Sequence, residues 1–312
     1  MNILSFFTHE GWESNWAKTG HNFFMLSSPE RKEGWKSRER KMPDNYTHVS
    51  FDEARMLCNR EIDVVVNHSA FEQRLVAQKL CRESNIQRIE MNHCLPLKAW
   101  SASDIVGLKQ TNDTDFNVFT TRYQADCWGY NLSGFVCGHT VDTDLFKNDY
   151  SGIISRSMSV AYDFKERADV LGYKDWEFLT NGISHIHHGN EDFAVLATAK
   201  DLSEAYCLNR AFVNTAKRST LPTSLLEAMA CGMPVVTVRA EAYTDDIFLD
   251  GENGFVSEDL FELKEKLEIL LTNMDLAAKI GMNGYNTFCD KFSPFSFVSK
   301  WNEIFNHARN SK

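Results

Sequence analysis

Short apolar runs and amphipathic segments alternate along the first 140 residues. The run Asp-Val-Val-Val-Asn at 63–67 is typical of a parallel strand buried on both faces, whereas residues 71–82 repeat apolar positions with helical periodicity. Alternation of the two kinds predicts a parallel sheet covered by helices on both faces. The predicted strands are 2–7, 22–26, 63–67, 88–92, 117–120 and 135–137, and the predicted helices are 13–19 and 71–82.

The alternation starts again after residue 150, and a chain of 312 residues is long enough for two domains. We therefore predict a second α/β domain. Its predicted strands are 157–161, 193–196, 211–213 and 235–238, with a further short strand at the end of 249–256. The predicted helices are 175–181, 202–208, 223–231, 260–289 and 298–307.

The composition is that of a globular protein, with 43% hydrophobic and 24% charged residues. No apolar run approaches the roughly 20 residues that span a bilayer, and the first residues are typical of a strand rather than a signal peptide. The eight cysteines include no Cys-x-x-Cys pair or zinc spacing, which favours a reducing, cytoplasmic location. A net charge of −10 argues against electrostatic binding of nucleic acid or anionic membranes.

One short stretch departs from this acidic balance. Residues 31–41 carry six cations, which include Lys36 and Arg38, and Trp35 lies within the same stretch. These side chains are candidates for contact with a polyanionic acceptor. The glutamates in and next to the stretch also fit a solvated loop without a binding role.

The segment 211–256 has the most informative pattern. A short apolar run is followed by a polar loop, a predicted helix, a Gly-x-Pro break and a predicted buried strand. Where such a loop ends at a helix N-terminus, unpaired N–H groups and the helix dipole favour an anion. Glu227 lies one turn into this helix, where its carboxylate is able to accept both hydroxyls of a ribose. The layout predicts binding of a nucleotide diphosphate.

These residues resemble the donor-binding segment of retaining glycosyltransferases of the GT-B fold, the group 1 family, also called family 4. The resemblance rests on the unbroken stretch Glu227-Ala-Met-Ala-Cys-Gly-Met-Pro-Val-Val236 and on Pro222 in the preceding loop. Residues 141–146, Val-Asp-Thr-Asp-Leu-Phe, are similar to the hinge of that family. The chain departs from the family at Ser219, which stands where a glutamate helps to hold the donor sugar.

The resemblance implies an α/β chain of the GT-B fold, with two Rossmann-like domains facing across a cleft. It implies an acceptor-binding domain at 1–140, a hinge at 141–150, a nucleotide-sugar-binding domain at 151–294, and a helix at 295–312 that packs back toward the first domain. The implied reaction is transfer of a sugar to a glycan or glycoconjugate acceptor with retention of anomeric configuration. No metal and no cofactor is implied beyond the nucleotide-diphosphate sugar, which is a co-substrate.

The resemblance also assigns residues to the donor site. Lys165 and Arg167 are the candidates to neutralise the diphosphate as the leaving group gains charge. The alternative to this role is an ordinary charge pair between Glu166 and a neighbouring cation at the start of a helix. The remaining donor-site candidates are Ser219, Thr220, Leu221, Pro222, Thr223, Ser224, Glu227 and Gly11.

Two histidines directly follow predicted strands. His93 comes after 88–92 and His68 after 63–67, so both are expected at the carboxyl edge of the sheet. The family frequently has a histidine near the donor sugar at the position of His93, which makes His93 a catalytic candidate; the alternative is a buried histidine bonded to backbone. His68 and Trp12, the latter in the predicted first loop, are candidates for acceptor contact.

Other patterns that resemble metal sites favour ordinary structure. The aspartates of 113–115 and 142–144 are predicted to form turns, and the histidines of 185–188 are predicted to lie in a loop without a metal. Two further functions stay open. One is transfer to hydroxymethylated bases in DNA, which the 31–41 stretch favours and the net charge opposes. The other is a non-catalytic nucleotide-sugar-binding module, which Ser219 favours.

Overall fold

The computed structural model describes residues 1–26, 35, 41–68, 71–114, 116–130, 133–190, 194–196 and 198–311. The chain divides into two compact units. The N unit comprises Met1–Gly138 together with Pro294–Lys312, and the C unit comprises His139–Ser293. The last helix of the chain therefore belongs to the unit that contains the first residues.

The N unit is built on a parallel sheet. Its strands are β1 (Asn2–Phe6), β2 (Asn22–Leu26), β3 (Tyr46–Val49), β4 (Val64–His68), β5 (Gln87–Asn92), β6 (Phe116–Phe119) and β7 (Phe135–Val136). Its first helices are α1 (Glu10–Ala17), α2 (Phe51–Cys58), α3 (Phe71–Ser84), α4 (Ala102–Thr111) and α5 (Arg122–Cys127). The seven strands lie in the order β3-β2-β1-β4-β5-β6-β7.

The C unit contains a second parallel sheet. Its strands are β8 (Ile154–Val160), β9 (His185–His188), β10 (Asn209–Asn214), β11 (Val235–Val238) and β12 (Phe255–Ser257), in the order β12-β11-β10-β8-β9. Its helices are α6 (Ala168–Leu171), α7 (Tyr173–Thr180), α8 (Ala199–Leu208), α9 (Thr223–Ala230), α10 (Thr244–Ile247), α11 (Leu260–Thr272) and α12 (Met274–Phe292). Helix α13 (Pro294–Asn310) follows and belongs to the N unit.

Both faces of the N-unit sheet are covered, which explains the continuous apolar runs of its central strands. Val64, Val65 and Val66 of β4 are fully buried. Val64 and Val66 belong to a core cluster shared with α1 and α13, and Val65 belongs to a second cluster shared with α2 and α3. Alternate side chains of one strand thus supply the cores on the two faces of the sheet.

Helix α13 completes the first of these clusters. Trp301 is fully buried against Trp16 of α1, with ring centroids 4.9 Å apart in edge-on geometry. Phe297, Ile304 and Phe305 belong to the same cluster. An aromatic pair of this kind contributes about 0.5–1.5 kcal/mol beyond the burial of its area. The helix therefore stabilises the N unit in spite of its distance along the chain.

The Gly-x-Pro break is a tight turn between α9 and β11. Gly232 has φ +79°, in the left-handed region that commonly ends a helix. A Cβ atom at Gly232 would lie 2.2 Å from the side-chain oxygen of Asn148, and one at Gly281 of α12 would lie 2.0 Å from the Gly232 carbonyl oxygen. The two glycines therefore permit close contact of this turn with α12 and with the segment before β8.

The α/β class with parallel sheets is confirmed, and several elements agree closely with the periodicity. Strands β2 and β11 have the predicted bounds, and β1, β4 and β5 differ by single residues at their ends. Helix α9 ends one residue earlier than predicted. In the predicted helix 260–289, Asn273 separates α11 from α12 and caps the second helix by accepting from the Leu276 N–H.

Other predictions of local structure are wrong. The histidines predicted in a loop form strand β9, whereas the predicted strand 193–196 is absent among the described residues 194–196, of which Ala194 makes only an isolated bridge to His188. The first helix begins at Glu10 rather than at residue 13, so Gly11 and Trp12 lie in α1 and not in a loop. Strand β3 and helices α2 and α4 were not predicted.

Gly232→Ala is expected to lower the free energy of unfolding by about 2–4 kcal/mol, because the clash with Asn148 adds to the cost of a left-handed backbone. Gly182→Ala is the matched control, since Gly182 has φ +77° but no atom of the described structure within 4 Å of an added Cβ. The control should lose only about 1 kcal/mol. Urea unfolding measures both losses. Equal losses would contradict the packing role of Gly232.

Candidate functional site

The strand order of the C-unit sheet reverses between β8 and β10. The chain continues from β8 to β9 on one side and then to β10 on the other, so the loops that follow β8 and β10 diverge at the same edge. Ligands of open α/β sheets bind at such a point, outside the carboxyl ends of the strands. The candidate site of the C unit is therefore formed by the loops 161–167 and 215–222.

Hydrogen bonds hold the chain after β8 against the loop after β10. The Thr215 hydroxyl donates to the Leu171 carbonyl at 2.8 Å, and the Arg218 N–H donates to the Val170 carbonyl at 3.2 Å. Gly172 permits this contact, because a Cβ atom there would lie 2.2 Å from the Thr215 carbonyl oxygen. The loop after β10 is thus packed against α6, the helix that follows the first candidate loop.

The predicted cations lie on the first of these loops. The side chains of Lys165 and Arg167 are exposed, and the Lys165 ammonium lies 6.0 Å from the centre of the Tyr173 ring. Arg167 is the residue that precedes α6, and it makes no capping hydrogen bond with its side chain. Their exposure leaves both cations accessible to an anion at the same edge of the sheet.

The loop after β10 ends at the N-terminus of α9. Pro222 is the N-cap and makes no side-chain capping hydrogen bond, so no side chain at the cap satisfies the first N–H groups of the helix. Thr220 and Leu221 are buried, Ser219 and Ser224 are half-buried, and Thr223 is exposed. The helix N-terminus therefore offers backbone donors beside small hydroxyl side chains.

Glu227 is fixed by a tyrosine that sequence reasoning missed. The hydroxyl of Tyr206, a fully buried residue of α8, donates to the Glu227 carboxylate at 3.0 Å. Burial, together with the Glu227 charge, raises the pKa of Tyr206 well above its usual value, so the hydroxyl keeps its proton. Tyr206 lies in the predicted helix 202–208, but helical periodicity does not show which residue of a later helix its hydroxyl reaches.

Further polar contacts at this edge were also not predicted. Lys217, directly after the β10 loop begins, pairs with Asp175 of α7 at 2.5 Å. The Asn214 amide donates to the Tyr243 hydroxyl at 2.8 Å, and that hydroxyl donates to the Ala216 carbonyl at 2.7 Å. Asn214 directly follows a predicted strand, which is the signal that marks it, whereas Lys217 lies further along the loop. The partners of both residues come from elements distant in sequence.

The N-unit sheet has its own reversal of strand order, between β1 and β4. His68 ends β4 and His93 follows β5, and their rings lie 5.1 Å apart, with His68 Nδ1 and His93 Nε2 at 2.9 Å. The other nitrogen of His68 lies 3.3 Å from the Ser5 hydroxyl of β1. The structure thus brings the two predicted histidines together at the carboxyl edge of the sheet.

Both histidines are held neutral near pH 7. Burial and then the neighbouring His9 lower the pKa of His93 to about 4. Burial and the neighbouring His93 and His9 hold the pKa of His68 well below its usual value. Each neutral ring therefore carries one N–H and one bare nitrogen. The contact between the two rings is a hydrogen bond from the N–H of one to the bare nitrogen of the other.

Trp12 is placed differently from its predicted role. It is only 5% exposed and packs edge-on against His93, Phe297 and Trp301, with ring centroids 5.3, 5.6 and 6.2 Å away. Its neighbour Gly11 is half-buried in α1. Trp12 therefore supports His93 and the core side of α13, and its buried ring presents no surface for stacking on an acceptor.

The basic stretch 31–41 is described only in part. Lys36 and Arg38 lie outside the described residues. Lys41 forms an exposed ion pair with Asp44 at 2.9 Å. Trp35 packs edge-on against Phe7, with ring centroids 6.4 Å apart.

The histidines of β9 have structural partners. His187 lies 2.9 Å from the Ser159 hydroxyl through Nδ1 and 3.1 Å from the Ala161 carbonyl through Nε2, and His188 Nδ1 lies 3.2 Å from the Ala194 carbonyl. In the part of the chain that the structure describes, no three His, Cys, Asp or Glu side chains are grouped as a metal site. The same part contains no helix that is long and apolar enough to cross a membrane.

Glu13 of α1 is a buried acid beside the end of β1. Its carboxylate accepts from the Thr8 N–H at 2.9 Å, the Thr8 hydroxyl at 2.8 Å and the Tyr46 hydroxyl at 2.9 Å. Burial outweighs these hydrogen bonds and raises the pKa of Glu13 to about 7. The carboxyl group ties the chain after β1 to α1 and β3.

Comparison with known proteins relates the C unit to one family. Residues 168–287 match the family described as glycosyl transferases group 1. Poly(ribitol-phosphate) alpha-N-acetylglucosaminyltransferase from Staphylococcus aureus (strain COL) is 29% identical over 96 residues, which are 30% of this chain. The match covers only 20% of that relative's length.

Solved structures resemble the chain over a larger share of its length. HepE from Anabaena, in complex with UDP and glucose, has a TM-score of 0.76 at 13% identity, and the match covers 98% of this chain and 100% of HepE. A TarM mutant from S. aureus, in complex with fondaparinux, alpha-GlcNAc-glycerol and UDP, has a TM-score of 0.64 at 15% identity. That match covers 81% of this chain and 58% of TarM. At these identities the likeness establishes the fold.

Glu13→Gln is expected to change how stability depends on pH. Because folding raises the pKa of Glu13 from 4.5 to about 7, the stability it contributes is complete below pH 4.5 and is lost as the pH rises to about 7. The wild type should lose roughly 3 kcal/mol relative to the variant across this window. Urea unfolding at pH 4.5, 6 and 7.5 measures the difference. A difference that is independent of pH would contradict the raised pKa.

Proposed function

We propose that this chain, which has the GT-B fold and whose C unit is a group 1 glycosyltransferase domain, transfers a sugar from a nucleotide-diphosphate sugar to an acceptor hydroxyl with retention of configuration. The bond from the anomeric carbon to the phosphate oxygen breaks, and a bond from that carbon to the acceptor oxygen forms. The acceptor proton passes to the leaving phosphate. The nucleoside diphosphate and the glycosylated acceptor are the products.

The observation that carries this proposal is the arrangement around α9. An uncapped helix N-terminus and the carboxylate of Glu227 lie at the point where the strand order of the C-unit sheet reverses. The N–H groups suit the diphosphate, and the carboxylate suits ribose hydroxyls. Tyr206 restrains the carboxylate before any ligand arrives, which reduces the entropy lost on binding.

Positive charge for the leaving group is available from the same edge. Lys165 and Arg167 on the loop after β8 are exposed, and that loop continues into the segment bonded to Thr215 and Arg218. Cations placed where negative charge develops lower the barrier to bond breaking. We therefore assign Lys165 and Arg167 to the diphosphate and infer that catalysis needs no metal ion.

The donor proposed here carries UDP, and the acceptor is a glycan or glycoconjugate. HepE and TarM were both solved with UDP, and the TarM complex also contains a glycosylated glycerol. The net charge of −10 opposes a DNA acceptor. Ser219, in place of a glutamate, leaves the sugar-binding part of the loop with a hydroxyl, so we expect a donor preference that differs from that of relatives with the acid.

A panel of UDP-sugars, with other nucleotide sugars for comparison, tests the proposal. Thermal shift reports binding, and release of UDP in the absence of acceptor reports bond breaking. Stabilisation by one UDP-sugar together with its slow hydrolysis is the expected result. Stabilisation without hydrolysis or transfer to any glycan would establish a binding module instead. Transfer to hydroxymethylated DNA would overturn the proposed acceptor class.

Glu227→Ala is expected to weaken UDP-sugar binding by about 10- to 100-fold, because a charge-assisted hydrogen bond contributes roughly 1.5–3 kcal/mol. Tyr206→Phe, which removes the tyrosine hydroxyl that donates to the carboxylate, should weaken binding less. Glu204→Ala is the control, since Glu204 lies on the same helix as Tyr206 but pairs with Lys200 at the surface. Calorimetric titration measures all four proteins. Unchanged affinity in a folded Glu227→Ala protein would remove Glu227 from the site.

Chelation with EDTA is expected to leave the initial rate of UDP-sugar hydrolysis nearly unchanged, because the proposed site neutralises the diphosphate with side chains and a helix N-terminus. Lys165→Ala and Arg167→Ala should instead lower the rate. Loss of most activity with EDTA, restored by manganese or magnesium, would contradict the assignment of these cations.

A further inference from the structure

Three polar side chains form a single chain of contacts at the point where the strand order of the N-unit sheet reverses. Ser5 is fully buried on β1, and His68 on β4 is 4% exposed. The Ser5 hydroxyl lies 3.3 Å from His68 Nε2, and His68 Nδ1 lies 2.9 Å from His93 Nε2. The nearly parallel rings, 22° apart, keep the two imidazoles in this relation.

The walls around His68 are aromatic and hold it in place. Trp16 lies 5.5 Å and Trp12 6.0 Å from the His68 ring, measured between centroids. The backbone N–H of His68 donates to the Gln73 side chain at 3.1 Å. The ring nitrogens of His68 are therefore directed to Ser5 on one side and to His93 on the other.

Each neutral imidazole has a single N–H, and the partners of its two nitrogens fix which nitrogen carries it. With both rings neutral, the 2.9 Å contact holds a single N–H, contributed by His68 or by His93. If His68 Nε2–H donated to Ser5, the buried Ser5 proton would be left without an acceptor, because the described structure gives this hydroxyl no partner besides His68. An unmade donor in a buried site is costly. The serine therefore donates to His68 Nε2.

The donation from Ser5 also fixes the positions of the ring protons of His68 and His93. A bare Nε2 places the His68 proton on Nδ1, where it donates to His93 Nε2. A bare Nε2 on His93 in turn places the His93 proton on Nδ1. We propose that Ser5 and His68 are positioning residues that set the tautomer of His93, so that Nδ1 of His93 is a hydrogen-bond donor and not a base.

This inference deepens the proposed function and rests on it for its consequence in catalysis. His93 follows β5 at the edge where ligands of such a sheet bind. A neutral imidazole with a fixed N–H is suited to donate a hydrogen bond, and the acceptor would be a hydroxyl or another substituent of the sugar ring. The assignment agrees with transfer in which the leaving phosphate, rather than a histidine, takes the acceptor proton.

The tautomer is measurable without any substrate. Long-range nitrogen–proton correlation spectra of protein labelled with nitrogen-15 in histidine distinguish protonated from bare ring nitrogens. The expected result at pH 7 is a protonated Nδ1 and a bare Nε2 on His93. His187 is an internal reference, because the Ala161 carbonyl requires its proton on Nε2. A bare Nδ1 on His93, or a mixture of the two forms, would overturn the proposal.

Substitutions test the chain of contacts from Ser5 through His68 to His93, which we call the relay. Ser5→Ala removes the hydroxyl and should convert the His93 signals to a mixture of tautomers. Ser159→Ala is the matched control, since Ser159 is the serine beside His187 in the C unit and should leave His93 unchanged. If Ser5→Ala leaves the His93 tautomer as it is in wild type, the hydroxyl does not direct it and the relay is refuted.

Hydrolysis of the UDP-sugar gives the functional readout. His68→Phe should lower kcat by about 10- to 100-fold with little change in KM, because His93 loses its fixed orientation. His68→Asn, whose amide N–H is able to donate to His93, should recover most of the rate. Equal loss in both variants would contradict a positioning role. Absence of hydrolysis by the wild type would refute the proposed function alone, and the tautomer measurement would still decide the relay.

Discussion

Burial of a parallel sheet on both faces is the constraint on which the remaining structure depends. In β4, Val64, Val65 and Val66 are fully buried on alternate faces, and the polar Asn67 and His68 come at the end of the strand. Loops diverge where the strand order reverses, and ligands of open α/β sheets bind there. Both units follow this rule: the histidine pair lies beside β1 and β4, and the loop that leads to Glu227 follows β10.

Pre-organisation is the common physical property of the two edges. In the C unit, Tyr206 and Tyr243 are buried residues whose hydroxyls fix a carboxylate and a loop carbonyl. In the N unit, Ser5 and His68 fix the orientation of His93. Buried hydrogen bonds of this kind cost conformational freedom during folding rather than during ligand binding. The cations Lys165 and Arg167 differ, because their side chains are exposed rather than buried.

Much of this architecture was predictable from the sequence because burial leaves a periodic signal. Strand β11 and helix α9 follow directly from the apolar pattern, and the Gly-x-Pro break between them follows from backbone chemistry. The prediction that the histidines of β9 lie in a loop is wrong because polar side chains do not show the apolar pattern of a strand. Ring nitrogens of His187 and His188 contact carbonyls and a serine, which periodicity does not reveal.

The partners of the site residues were predictable to a smaller extent. Glu227 and His93 were identified from their positions after a loop and a strand, whereas Tyr206 and Ser5 act through contacts that only the folded chain creates. The prediction that Trp12 lies in a loop follows from a first helix that begins only at residue 13, but α1 starts at Glu10 and buries the ring. A side chain in a helix is oriented by the core that the helix covers, and that core includes α13 from the other end of the chain.

The most direct test of the account is to map where UDP binds with backbone amide resonances. Titration of the labelled protein with UDP should shift the amides of Thr223 and Ser224, of the loop 215–222 and of residues 161–167, in proportion to one binding constant. The same shifts should be absent from α11 and α12, which lie outside the candidate loops. Shifts concentrated on those two helices, or no saturable shifts at all, would contradict the placement of the donor site at the point where the strand order of the C unit reverses.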